Sequence, residues 1–271
     1  DGYLYLGTNQ GLFYKPRQSD SDFVFVPGTN GQVWSLKIID DLVFCGHHLG
    51  TMIIKDQKVQ YTIFDSPGTW DFKPLANDPT IILQGNYSGL SLLEYSSGQW
   101  NFRNKIEGFD LSTRFYEQKE NKIFVNHELR GLYELELSDD LFSVSNVSSV
   151  STVIKGAGSN ILNFSNNLYY TSSEGVYTYD DTQQDFVSSE SFNSLLNSFS
   201  LRSTLMDVKG SDGLKWCFAD ESILIISTGS ITKIPKPEII PVSLDNFKKL
   251  AQGFENLTKI GVEEYLLGSS N

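Results

Sequence analysis

One short phrase recurs along the whole chain, and it restricts the fold more than any other feature. Residues 3–13 read YLYLGTNQGLF, residues 42–52 LVFCGHHLGTM and residues 81–91 IILQGNYSGLS. Residues 123–133 (IFVNHELRGLY) and 168–177 (LYYTSSEGVY) repeat it, and weaker copies lie at 215–225 (KWCFADESILI) and 265–271 (YLLGSSN). Self-similarity at a near-constant period is the signature of a repeat architecture. Aligned on the residue equivalent to Gly7, the copies place Gly46, Gly85, His127, Thr171, Phe218 and Gly268 in register. The successive intervals are 39, 39, 42, 44, 47 and 50 residues. A second glycine follows four positions later in the first five copies: Gly11, Gly50, Gly89, Gly131 and Gly175.

Each phrase is an alternating apolar run, a short polar segment ending in glycine, and a second apolar run. That order predicts a β-hairpin whose glycine supplies a positive φ. Further runs rich in Val, Ile, Tyr and Phe lie between the phrases, as in FVFV at 23–26, VWSLKII at 33–39 and VQYTIF at 59–64. Such runs fit half-buried pleated strands. Two extra strands per hairpin and a period in the forties predict an all-β fold, a propeller of four-stranded antiparallel blades. Six full intervals and a truncated seventh phrase predict seven blades, with six blades carrying extra strands as the other count. The whole chain, 1–271, is expected to form one propeller domain.

Two segments depart from the strand pattern. Residues 189–201 place Phe192, Leu195, Leu196 and Phe199 at helical spacing. Residues 243–253 offer Ser243 as an N-cap, apolar Leu244, Phe247, Leu250 and Ala251, and a terminating Gly253. Both predict short helices in loops. The Pro-containing stretch 234–241 reads as an extended loop within the propeller.

The formal charge is −12, with 21 Lys and Arg against 33 Asp and Glu, and no basic block is present. That argues against nucleic acid and against an anionic membrane surface as direct partners. No apolar run approaches the roughly 18 residues needed to span a bilayer. Both ends read as cut, so the chain is expected to be a piece of a longer protein. Cys45 and Cys217 sit singly in apolar runs and are expected to be buried free thiols.

Catalytic chemistry finds little support. The three histidines, His47, His48 and His127, belong to no HExxH pattern, and no GxSxG or P-loop sequence occurs. A metal site on those histidines is weaker than a surface or loop role, because adjacent residues of a strand point to opposite faces. The acidic pairs Asp40–Asp41, Asp139–Asp140 and Asp180–Asp181 recur beside the hairpins and read as turn residues. No catalytic residue, metal or cofactor is therefore assigned.

Symmetry gives a more useful expectation. The polar segments between the paired glycines occupy equivalent places in successive blades. Together they present His47, His48, Asn86, Tyr87, His127, Glu128 and Arg130. These groups offer donors, acceptors and aromatic faces for a polar ligand. Trp70, after the Pro67–Gly68 turn, is added as a surface aromatic. Trp34, Trp100 and Trp216 read as strand residues packed in the core.

The run 31–52, GQVWSLKIIDDLVFCGHHLGTM, resembles the two-component regulator propeller repeat. It carries in order Val33, Ser35, Leu36, the Asp40–Asp41 turn, Gly46 and Gly50. The likeness is strong over 1–135, moderate to 180 and weak beyond. The family's tryptophan is replaced by Tyr5, Phe44 or Val125, and Gly46 by His127 or Thr171. The resemblance implies the sensory region of a membrane-anchored bacterial regulator, outside the inner membrane in the periplasm or beyond. It implies a non-catalytic ligand sensor, with an oligosaccharide or another small polar molecule as ligand. It further implies, in the parent protein, a second propeller, an immunoglobulin-like domain and a membrane anchor, and a homodimeric assembly. A protein-interaction scaffold without small ligand and a glycan-acting hydrolase or lyase are the alternatives.

Overall fold

The computed structural model describes residues 2–63, 67–156, 158–201, 203, 205–209, 211, 213–235, 256–262 and 264–268. The 243–253 helix and residues 236–241 of the Pro-containing stretch lie outside them.

Six β-sheets follow one another along the chain. The first has three strands: β1 (Tyr3–Thr8), β2 (Gly11–Pro16) and β3 (Val24–Phe25). The second runs β4 (Val33–Ile39), β5 (Leu42–His47), β6 (Gly50–Lys55) and β7 (Lys58–Ile63). The third contains β8 (Asp71–Leu75), β9 (Asp78–Gly85), β10 (Leu90–Ser96) and β11 (Gln99–Lys105), and the fourth β12 (Phe115–Lys119), β13 (Lys122–His127), β14 (Gly131–Leu137) and β15 (Val144–Val150). In the fifth, β16 (Asn160–Phe164), β17 (Asn167–Ser172), β18 (Gly175–Asp180) and β19 (Asp185–Ser188) repeat the meander. The sixth begins with β20 (Met206–Lys209), β21 (Lys215–Ala219), β22 (Ser222–Ser227) and β23 (Ser230–Pro235). This is a propeller-like fold of six blades.

The expectation of seven four-stranded blades is overturned at both ends of the series. The last phrase does not found a blade. β24 (Asn256–Lys259) and β25 (Tyr265–Gly268) form a hairpin, and β24 joins the sixth sheet parallel to β20, with Val208 opposite Leu257. Leu257 is buried there with Val208, Trp216 and Ile223. The apolar run at 265–268 therefore finishes an existing sheet, which becomes six-stranded. The first sheet has three strands among the described residues.

The hairpin reading of the phrase holds. In each of the first five copies the two apolar runs are adjacent antiparallel strands, as in β5 with β6, where Phe44 pairs with Ile53. These are also the buried strands: β5 and β6 are buried along almost their whole length, whereas the outer strand β15 is exposed. The second glycine has φ of 141°, 133°, 74°, 110° and 132° in the five copies, values that side-chain-bearing residues rarely adopt.

The chain divides into two compact units, Asp1–Ile123 with Leu135–Val147, and Phe124–Glu134 with Ser148–Asn271. Apolar clusters of the first unit lie between its sheets. Leu12, Val33, Cys45, Met52 and Ile54 form one; Phe44, Ile53, Phe72, Ile82, Leu93 and Trp100 form another. In the second unit the expected helix is present as α1 (Glu190–Leu196). Its Phe192 and Leu196 are buried against Phe164, Leu205 and Leu224. Both cysteines are buried free thiols.

Candidate ligand-recognition surface

Successive sheets are joined at one recurring place. The first glycine of the phrase, near the end of its strand, lies against the residue that precedes, or begins, the first strand of the next sheet. A Cβ at Gly7 would stand 2.5 Å from the Val33 side chain, at Gly46 2.5 Å from the Thr69 carbonyl oxygen, and at Gly85 2.1 Å from that of Thr113. Backbone bonds complete the joint: Thr69 N–H donates to His47 O (3.2 Å) and Thr113 N–H to Asn86 O (2.9 Å). In the second unit Asn126 takes the glycine's place. Its Nδ2 donates to the Ser159 carbonyl at 2.8 Å. The residue equivalent to Gly46 is thus Asn126, one position earlier than the His127 alignment read from the sequence.

The residues just after Val33, Thr69 and Thr113 are Trp34, Trp70 and Arg114. Equivalent positions in three consecutive sheets thereby bring two indoles and a guanidinium together. The ring centroids of Trp34 and Trp70 are 5.0 Å apart. The Arg114 guanidinium carbon lies 5.6 Å from the Trp70 ring and 4.7 Å from that of Phe115, stacking distances for a cation on aromatic faces. Tyr87, in the β9–β10 turn, packs 5.1 Å from Trp70 and 6.3 Å from Trp34. Trp34, Trp70, Arg114 and Phe115 are half-buried and Tyr87 is 40% exposed, unlike the fully buried aromatics Phe44 and Phe72.

Local backbone features set these side chains. The β4–β5 register shifts between Val33 and Ser35, so Trp34 sits in a bulge, a device that re-aims a side chain at a sheet edge. Gly68 has φ 73°, and a Cβ there would stand 2.1 Å from the Tyr87 ring, so the phenol lies directly on the Gly68 backbone. Trp70 Nε1 donates to Ser112 Oγ at 3.1 Å, which fixes the indole's tilt. Burial raises the Tyr87 phenol above its ordinary pKa, and the Trp34 indole N–H opposes that. That N–H is buried and faces the phenol without a hydrogen bond of standard geometry among the described residues. The rings touch one another, so a ligand has access to their outer faces and not to a space between them.

The residues singled out from sequence fall into distinct settings. His47 and His48 lie at the β5–β6 turn with ring centroids 4.2 Å apart; His47 is fully buried and His48 half-buried. Asn86 is buried, accepting from Gln84 Nε2 (2.7 Å) and donating to Ser91 Oγ (2.9 Å). In the second unit, His127 Nδ1 accepts from the N–H groups of Leu129 and Arg130, both at 3.3 Å. Glu128 accepts from Gly158 N–H at 3.0 Å, and Arg130 is exposed. His47 and His127 share a turn-capping geometry with Thr8 and Ser172, whose hydroxyls accept from Gln10 N–H and Glu174 N–H. The structure thus places Trp70 and Tyr87 in one surface, with His47 and His48 at the joint behind it. Trp34, expected in the core, is instead half-buried in this surface, and Arg114 has no sequence motif of its own. Their common position after Val33, Thr69 and Thr113 is the signal that finds them.

No group of three or more His, Cys, Asp or Glu suited to a metal ion occurs among the described residues. Two cavities are present in the first unit. One of about 240 Å³ lies between Leu75, Gln118, Ile123 and Asp139, the other of about 440 Å³ beside Tyr61, Trp100 and Phe102. The aromatic cluster lines neither of these two cavities.

No protein-family profile and no curated protein matches the sequence. Solved structures match the fold. The extracellular domain ascribed to the hybrid two-component system BT3049 of B. thetaiotaomicron is 14% identical, with a TM-score of 0.59 over 86% of this chain and 33% of that one. The corresponding domain ascribed to BT4673 of the same organism is 14% identical, with a TM-score of 0.55 over 90% and 33%. The computationally designed Ika8 protein is 11% identical, with a TM-score of 0.57 over 85% and 70%. The chain thus has a β-propeller fold that resembles extracellular domains of Bacteroidetes sensor systems at low identity. It spans about a third of the length of each of those domains.

Proposed function

We propose that this chain is a non-catalytic recognition propeller, in the periplasmic or extracellular region of a bacterial signal-transduction regulator. Its ligand is a small polar molecule with a ring to stack, an oligosaccharide in the first instance. The observation that carries this reading is the convergence of Trp34, Trp70, Tyr87 and Arg114 on one half-buried surface. Flat aromatic faces with a cation at the rim hold a ring by stacking and orient its polar substituents. The likeness of fold to sensor domains supports the setting.

Binding transmits a signal only through a difference in affinity between two arrangements of the parent protein. The ligand surface is built from residues in or just before the first strands of three sheets, with Tyr87 from the β9–β10 turn, so occupancy bears directly on their joints. A second reading, a protein-interaction scaffold, draws on the β15 edge: the strand VSNVSSV carries no charge, and Phe142 just before it is 53% exposed.

A thermal-shift screen of oligosaccharides and small metabolites tests the first reading. A ligand at 100 times its Kd adds roughly 2.7 kcal/mol of stability. A hit that shifts the wild type and not Trp70→Ala supports the aromatic surface. A hit that shifts both equally, or a broad panel with no hit, removes it.

A further inference from the structure

The His47–His48 dipeptide behind the aromatic surface joins the segments that carry Trp34 and Trp70, the first through the His48 ring and backbone and the second through backbone carbonyls. His48 binds the first segment twice: its N–H donates to Gln32 O (3.0 Å), and its Nδ1 accepts from Gln32 N–H (3.1 Å). Gln32 is two residues before Trp34. The second segment is held from the same dipeptide. Gly68 N–H donates to His48 O (3.1 Å) and Thr69 N–H to His47 O (3.2 Å), and Trp70 follows at once. His47 fixes the dipeptide's own turn, its Nδ1 accepting from Leu49 N–H at 3.2 Å.

Both Nδ1 atoms are therefore acceptors, and both rings must be neutral to act so. A proton on either Nδ1 meets an N–H already pointing at it. The rings are 4.2 Å apart, so two imidazolium charges would also repel each other. Relief by shifting is restricted: a Cβ on Gly31 would stand 2.1 Å from His48 Cε1 and 3.0 Å from His47 Nε2, so the backbone lies flat against both rings. His47 is fully buried, and its Nε2 faces the Thr29 and Asn30 backbone without a hydrogen bond of standard geometry among the described residues.

We propose that His47 and His48 form a proton-released clamp, which aligns the Trp34–Trp70 surface at neutral pH and lets it loosen in acid. The clamp deepens the reading of that surface as the recognition site, and it makes the histidines positioning residues and not ligand contacts. The groups packed on the pair come from four places: Thr29, Asn30, Gly31 and Gln32 before β4, Leu49 in the turn, Gly50 opening β6, and Gly68 and Thr69 before β8. None of these described groups is charged, and the titratable group in ring contact with each imidazole is the other imidazole. Burial first, then His48, lowers the His47 pKa below the ordinary histidine value, while the facing Asn30 and Thr29 backbone raises it less. The sign follows. The neutral clamp is intact above the ordinary value of about 6.5 and fails as pH falls through the lower folded one.

The test needs no ligand, so its outcome is separate from whether any ligand binds. Acrylamide quenching of intrinsic fluorescence is measured on the full chain from about pH 8 to about pH 5, the range of histidine titration. Trp100 and Trp216 are 2% and 0% exposed, so quenching reports Trp34 and Trp70. The wild type should become severalfold more quenchable in acid, with far-ultraviolet dichroism unchanged. The double variant His47→Asn/His48→Asn keeps an acceptor oxygen at each Nδ1 position and cannot titrate. It should show neutral-pH quenching throughout. A wild type that does not respond to acid, or a variant that still responds, overturns the clamp. Should the variant not fold, proton NMR of the wild type decides. The His47 ring protons and the Trp34 and Trp70 indole N–H must then share one midpoint, and independent midpoints overturn the clamp.

Discussion

Gly85→Ala puts the most stringent demand on the joint that carries the surface. The new Cβ would stand 2.1 Å from the Thr113 carbonyl oxygen and 2.8 Å from the Tyr116 ring, where ordinary contact begins near 3.4 Å. Neither neighbour can turn aside. Thr113 presents backbone, and Tyr116 is fully buried with its hydroxyl donating to Leu83 O at 2.8 Å and Asp71 O at 3.1 Å. The two strands must part by roughly an ångström, which lengthens the Thr113–Asn86 backbone bond and moves Arg114 off Trp70. Overpacking costs about 1–3 kcal/mol and a disrupted buried hydrogen bond about 1 more. At roughly 2–4 °C per kcal/mol, the melting temperature should fall by about 4–16 °C. Gly213→Ala is the control, since open space surrounds that position and its φ is ordinary, and it should change stability little. Scanning calorimetry of both variants is the assay. A Gly85→Ala transition within about 2 °C of wild type would refute the close-approach argument.

Other expectations follow from the core and from the buried polar groups. Phe44 is fully buried with its ring 5.5 Å from Phe72 and 5.6 Å from Trp100, so Phe44→Ala should cost about 3–5 kcal/mol in urea unfolding. Burial pushes the Cys45 and Cys217 thiols up to about 12, so neither should react with a disulfide reagent in the folded protein near pH 8, and both should react in urea. Rapid labelling of either in the native state contradicts its placement. Glu117 is buried and binds Lys73 Nζ at 3.0 Å, so Glu117→Leu should cost about 1–3 kcal/mol by leaving that ammonium without its nearest carboxylate. An unchanged urea midpoint would place the pair among exposed, weak ones.

Much of the fold was legible because its repeat is written in residues that each do one physical thing. The second glycine marks a positive φ, and the first marks where the next sheet's backbone comes within contact. The alternation on either side marks two buried strands. The helix at 190–196 was legible from the spacing of Phe192 and Leu196. The blade count was not, because a hairpin phrase specifies two strands and not which sheet receives them. Tyr265–Gly268 reads like the start of a blade, yet it is attached through Leu257 to β20. In the fourth copy an asparagine side chain makes by hydrogen bond the contact that glycine makes by closeness. The sequence alignment therefore slipped by one residue there.

The surface was only half legible. Trp70 and Tyr87 stood out as loop aromatics. Trp34 looked like a core strand residue because nothing in VWSL announces the bulge that turns it outward. Arg114 sits in a segment without repeat character, and only its place after Thr113 links it to the two tryptophans. The histidines were legible as a pair but not as to role, since a turn cap and a ligand contact ask for the same residue.

Ligand recognition by the Trp34–Trp70–Tyr87 surface is the step on which the proposed function rests. Calorimetric titration of a hit from the ligand screen into wild type and Trp70→Ala tests it most directly. The wild type should bind measurably and the variant at least about tenfold more weakly, as for the loss of a central aromatic anchor. Equal affinity for both proteins, with both folded, would contradict it.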